Sequence, residues 1–217
     1  YSVYAIDLPG HGKSDICDGQ QTIGDYARYI VQWLESIHVR RAVFIGHSMG
    51  SAIALALAIH HPEYVVGLGL FGAGARLQVS PELLNYASDT TTFFKATDLL
   101  VACSFSPGAP HRMVELASKR LEEVRQSVLY GDLLACDRFD VMDRLAEVQQ
   151  NTLVVCGADD QMTPVRYAQY LSSSIPNARL SIIPNAGHMV MLEQPNLVAN
   201  SLLSFLNDSN FFPGEGI

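Results

Sequence analysis

Gly46-His47-Ser48-Met49-Gly50 sets a serine between two glycines, and the chain carries a histidine and two aspartates in loops far downstream of it. A serine hydroxyl is a poor nucleophile near neutral pH. It needs an adjacent base, and that base needs a carboxylate to orient it. His188 stands in Asn185-Ala186-Gly187-His188-Met189, and Asp159 and Asp160 stand in Gly157-Ala158-Asp159-Asp160-Gln161-Met162-Thr163-Pro164. Serine, then acid, then histidine is a chain order that supports acyl transfer through a covalent serine when the serine occupies a G-x-S-x-G turn.

Seven histidines compete for the role of base. His38, His60, His61 and His111 fall at helix ends or in helical patterns, where solvated or capping roles are the rule. His11 and His47 sit in loops of functional composition, but His47 abuts Ser48 and should point elsewhere. His188 follows the last strand pattern, in a turn from which a side chain can reach back over a sheet edge. Of the two aspartates only one can hold the imidazole, because neighbouring loop residues point in different directions. Spacing alone does not choose between Asp159 and Asp160. The other is a turn or capping residue ahead of Pro164.

The elements around these residues read as alternating strands and helices. Arg41–Ile45 is a short run of strand formers, and Ser51–Ile59 is apolar almost all round, the mark of a buried helix. Strand, G-x-S-x-G turn and helix together describe a nucleophile elbow, whose sharp turn demands small residues at positions 46 and 50. Ser2–Asp7 reads as a strand ended by Leu8-Pro9-Gly10-His11-Gly12, and a helix starts at Thr22 with Asp25 three residues on. Tyr26, Ile30, Trp33 and Ile37 form its apolar stripe. Val65–Phe71, Thr152–Gly157 and Ala178–Ile183 are further strands, with helices over about 164–173 and 195–207. This is an α/β pattern: a mostly parallel sheet covered by helices on both faces.

Residues 76–148 interrupt the rhythm with helical patterns and no convincing strand. In one of them, Arg112–Leu129, the residues Met113, Leu116, Leu121 and Val124 could share a face. The segment reads as a helical cap inserted over the carboxyl ends of the strands, where α/β sheets bind ligands. The core is then 1–75 with 149–217. Phe93, Phe94, Phe105 and Met113 are the large side chains through which such a cap would tune a pocket.

Composition narrows the partners. With 217 residues and 48% hydrophobic content the chain can bury one sizeable core. A net charge of −8 argues against nucleic acid as a partner. No apolar run reaches the length of a membrane span. Cys17, Cys103, Cys136 and Cys156 are widely spaced, which suits reduced thiols and a cytoplasmic protein. No His/Cys/Asp cluster has metal-ligand spacing, and Gly67–Gly74 lacks the Lys-Ser/Thr ending of a phosphate loop. Neither metal nor cofactor is expected.

Three segments resemble the α/β-hydrolase superfamily: Asp7-Leu8-Pro9-Gly10-His11-Gly12-Lys13-Ser14, the elbow at Ser48, and Gly157–Pro164 taken with Gly187-His188. The resemblance runs from the first residue to about Leu206. Loops of the form G-x-x-D-x-x-x-P in this family place the acid at the fourth position, here Asp160. The resemblance also assigns Met49 the role of backbone oxyanion donor, which suits an amide at a helix N-terminus. It implies a capped serine hydrolase with the triad Ser48, Asp160 and His188, acting on a small-molecule ester or related acyl bond. Carbon–carbon and enol-lactone hydrolases, cofactor-free haloperoxidase-like enzymes and a ligand-binding, receptor-like protein of little turnover are the alternatives. Serine at position 48 argues against the dehalogenases and epoxide hydrolases, which use an aspartate there.

The chain departs from the family at its start. Family members carry a strand that precedes the Asp7 strand in sequence and lies between it and the Ser48 strand in space. The loop after it supplies the second oxyanion amide, and none of this precedes Tyr1. An empty slot would strand rows of buried backbone groups at about 1–3 kcal/mol each. The expectation is therefore an upstream segment of roughly 40–60 residues in the native protein.

Overall fold

The computed structural model describes residues 2–14, 17–208 and 211. Tyr1, the remaining C-terminal residues and the expected upstream segment lie outside this range.

Thr22 caps the first helix, α1 (Ile23–Ser36), its side chain accepting the Asp25 N–H at 3.1 Å. The strand β1 (Ala42–His47) turns at Ser48 into α2 (Met49–His60), and β2 (Val65–Phe71) follows. Four helices come next: α3 (Pro81–Ser88), α4 (Phe93–Ser104), α5 (His111–Glu122) and α6 (Gln126–Asp137). A 3-10 turn over Met142–Glu147 leads to β3 (Asn151–Gly157), α7 (Val165–Ser174) and β4 (Ala178–Ile183). The short α8 (Val190–Glu193) and α9 (Pro195–Asp208) close the described chain. The strands form one parallel sheet in the order β1-β2-β3-β4.

Both faces of the central strands β2 and β3 are covered, as their near-continuous apolar runs require. On one face Leu68, Leu70, Val154 and Cys156 pack with α1, α2 and α7 through Tyr26, Ile30, Leu55, Leu57, Ala168 and Leu171. On the other, Phe71, Leu153, Val155 and Ile183 meet Val198 and Phe205 of α9. Alternate residues of β3 thus belong to two different cores. The α1 stripe is bounded by Leu34 rather than Ile37, which is 36% exposed.

The Ser2–Asp7 strand does not form. These residues pair with no strand, and Val3 and Tyr4 are exposed. A strand persists through ladder hydrogen bonds, and this segment is paired with none of the described strands. β1 pairs with β2 alone, and Ile45, on the face opposite to the one on which Phe44 packs, is 52% exposed.

Between β2 and β3 the helices α3–α6 gather their own cluster of Leu83, Ala87, Ala96, Leu100, Leu129 and Leu133. Its two ends are zipped by backbone bonds, Leu77 N–H to Phe139 and Val141 N–H to Ala75. Val141, Leu145 and Val148 already pack into the main core. The helical pattern over Arg112–Leu129 is two helices, not one. Arg125 is extended (φ −64°, ψ 135°), held where its guanidinium reaches the carbonyls of Gly10 and Cys17. The break lets α6 bury Val128, Leu129 and Leu133, and it leaves Leu116 of α5 54% exposed.

Candidate active site

The elbow is a consequence of close packing between strand and helix. A Cβ on Gly46 would stand 2.1 Å from the Gly50 carbonyl oxygen, so only glycine fits there. The demand does not extend to Gly50, where an added Cβ meets nothing within 4 Å. Between them Ser48 takes φ 52° and ψ −116°, a conformation that costs a non-glycine residue about 1–3 kcal/mol. The neighbours over-determine it: Ser48 N–H donates to Phe71 at 2.9 Å, and Ser51 Oγ donates to the Ser48 carbonyl at 2.6 Å. Met49 opens α2, where the first-turn amides have no partner inside the helix.

Asp160 lies in the turn after β3 and is buried. Its Oδ1 accepts the N–H groups of Met162 at 2.9 Å and Thr163 at 2.8 Å. Its Oδ2 accepts Thr163 Oγ1–H at 2.8 Å and His188 Nδ1–H at 2.9 Å. Burial pushes the Asp160 carboxyl up, but His188, through its hydrogen bond and charge, and the Thr163 donors together hold it below the usual carboxylate range. Asp159 is exposed and makes a different contact, its N–H donating to the Ala186 carbonyl at 2.9 Å.

His188 is 3% exposed, and its Nε2 has no hydrogen-bond partner. Donation from Nδ1 leaves Nε2 with the lone pair, so a basic nitrogen is held buried and unused. The ring rests against the start of the loop after β2. A Cβ on Gly72, whose φ is +51°, would lie 2.9 Å from His188 Cε1. Gly72 follows Phe71, the acceptor of the Ser48 amide, so His188 and Ser48 meet the same stretch of backbone at the carboxyl end of the sheet.

His47 turns away from Ser48 and onto the histidine loop, its Nε2–H donating to the His188 carbonyl at 2.9 Å. The two imidazole centroids are 4.6 Å apart. Burial and the neighbouring His188 push the His47 pKa down to about 4, so His47 is neutral at neutral pH. Among the aromatic residues singled out in 76–148, Phe105 is buried beside Gly187, whose added Cβ would stand 2.6 Å from the Phe105 carbonyl carbon. Phe94 is 57% exposed, Phe93 packs within the helical cluster and Met113 is half-buried.

His47 points away from Ser48 as expected, but the sequence reading missed what it holds, and it missed Thr163, Gly72 and Glu193. Thr163 sits three residues beyond Asp160, a spacing that lets a hydroxyl turn back onto the carboxylate. The others have no local signal: Gly72 and His47 meet the distant histidine loop, and Glu193 joins nearby Gly187 to distant Ser106.

Residues 1–201 match the alpha/beta hydrolase family, and the chain belongs to it. Among solved structures, a thermophilic esterase shares 36% identity and a TM-score of 0.85, over 95% of this chain and 81% of that one. An N-acyl homoserine lactone degrading enzyme shares 28% identity with a TM-score of 0.81, over 92% of this chain and 80% of that one. The 2-hydroxy-6-oxo-6-phenylhexa-2,4-dienoate hydrolase of Burkholderia cepacia is 26% identical across 95% of this chain and 77% of its own length. The dihydrolipoyllysine-residue acetyltransferase component of the acetoin cleaving system of Cupriavidus necator is 28% identical. This chain spans about half of that protein, 54% of its length. Among the described residues no helix is long and apolar enough to cross a membrane.

Proposed function

We propose that the chain hydrolyses carboxylic esters, or closely related acyl bonds, through an acyl-serine on Ser48. One observation carries the reading: His188 bonds Asp160 through Nδ1 at 2.9 Å and holds a buried, unpartnered Nε2 at the same end of the sheet as the strained serine. Ser48 Oγ attacks the substrate carbonyl while Nε2 takes the hydroxyl proton. The imidazolium so formed is balanced by Asp160, kept ionised by its four donors. The Met49 N–H, at the start of α2, donates to the oxyanion. His188 returns its proton to the leaving alkoxide. A water molecule then repeats the sequence on the acyl-enzyme and frees Ser48. We assign 76–148 to a cap that sets acyl-group preference, a reading supported by Phe105 lying against the histidine loop. The free thiols of Cys17, Cys103, Cys136 and Cys156 support a reducing, cytoplasmic setting.

The esterase at 36% identity favours an ester over other acyl bonds. Carbon–carbon hydrolysis by the same residues is the second reading, favoured by the Burkholderia cepacia relative. Turnover of a short p-nitrophenyl ester by wild type and not by Ser48→Ala is the expected result. An inert wild type, or an active Ser48→Ala, removes the acyl-serine reading.

A further inference from the structure

Three consecutive residues around the base are anchored through their backbones by three different elements. Gly187 N–H donates to Glu193 Oε1 of α8 at 2.7 Å. The His188 carbonyl accepts from His47 at the end of β1 at 2.9 Å, and Met189 N–H donates to the Ser104 carbonyl at the end of α4 at 3.0 Å. The second oxygen of Glu193, Oε2, accepts the N–H of buried Ser106 at 2.9 Å. One carboxylate therefore ties the histidine loop to the connection between α4 and α5. The two backbones are in close contact there, since a Cβ on Gly187 would lie 2.6 Å from the Ser106 nitrogen.

We propose that Glu193 is a positioning residue for His188, and that it makes the placement of the base depend on docking of the α4–α5 connection. This rests on the role given to His188 above. The chemistry of the bridge is specific to a carboxylate. Two backbone donors converge on one side chain, and only an ionised carboxylate presents an acceptor to each while strengthening both bonds with its charge. An amide of the same shape offers one oxygen and one NH2, so one backbone N–H would face a donor. Releasing either bond lets the Gly187–His188 peptide shift relative to Asp160 and Ser48. A displacement of about 1 Å at a reacting group is enough to cost on the order of 10²-fold in rate.

The test is a cycle in the full chain with p-nitrophenyl acetate, using wild type, Glu193→Gln, His188→Ala and the double variant. The expected result is a Glu193→Gln protein that folds, loses about 10²-fold in kcat and changes KM far less. In the His188→Ala background the same substitution should cost nothing further, because the group it positions is gone. Unchanged kcat in Glu193→Gln, or an equal loss in both backgrounds, overturns the positioning role and leaves the triad standing. Wild-type activity in His188→Ala overturns both. If Glu193→Gln does not fold, Glu193→Asp, which keeps the charge but is one methylene shorter, is read by the same criteria.

Discussion

The His47 imidazole donates from Nε2 to the backbone carbonyl of His188 at 2.9 Å, with the ring centroids 4.6 Å apart. A residue adjacent to one end of the candidate triad thus braces the other end, 141 positions away in the chain. The bond needs a hydrogen on Nε2, and because burial and His188 disfavour the charged ring the neutral Nε2–H tautomer supplies it.

That arrangement has a pH signature. The His47 pKa is about 4 in the folded chain against an ordinary 6.5. Between those values the unfolded chain binds the proton more readily, so stability falls as pH drops from about 6.5 towards 4. His47→Gln, which keeps a donor and cannot titrate, should flatten that slope in melting temperature. An unchanged slope would show that the acid sensitivity lies elsewhere.

A second pH signature runs the opposite way. His11 Nε2–H donates to Asp132 at 2.8 Å and Nδ1–H to the Pro9 carbonyl at 3.0 Å, so both ring nitrogens face acceptors. The Asp132 hydrogen bond, opposed by burial and helped by the charges of Asp132 and Asp7, raises the His11 pKa. Its stabilisation is complete below about 6.5 and is lost as pH rises through the raised value. Asp132→Asn should remove this loss, read as melting temperature against pH.

Asp160→Asn should lower kcat by about 10³–10⁴-fold, because the amide cannot both accept from Nδ1–H and balance an imidazolium. Asp159→Asn should change little, since only its backbone is engaged, with Ala186. Steady-state kinetics on one ester rank the two directly, and the reverse order would move the acid to Asp159.

The two elbow glycines should behave differently. Gly46→Ala places a methyl 2.1 Å from backbone oxygen and should abolish folding or activity. Gly50→Ala places one in open space inside α2 and should stabilise by about 0.5–1 kcal/mol through helix propensity. Thermal melts of both decide it. Ser48→Gly should melt above Ser48→Ala by a margin of about 1 kcal/mol, because glycine relieves the positive φ.

Local patterns in this sequence determined the elements whose cause is itself local. The apolar runs of β2 and β3 and the all-apolar α2 are legible because burial on both sides demands such runs, and Thr22 caps α1 through its own side chain. The order of Ser48, Asp160 and His188, each in a loop after a strand, followed from the same alternation. Tertiary structure decided the rest. Ser2–Asp7 has the composition of a strand, but a strand is made by its neighbour, and no described neighbour pairs with it. Spacing could not separate Asp159 from Asp160, although the family loop pattern favoured the second. In the fold it is Asp160 whose carboxylate meets His188, with Thr163 turning back onto it, while Asp159 remains exposed. The break at Arg125 carries no Pro or Gly, and the carbonyls its guanidinium meets, those of Gly10 and Cys17, lie more than a hundred residues away, where no local pattern can encode them. Glu193 and His47 were invisible for the same reason: what each holds is backbone, and backbone presents the same groups at every position until the fold brings one of them within reach.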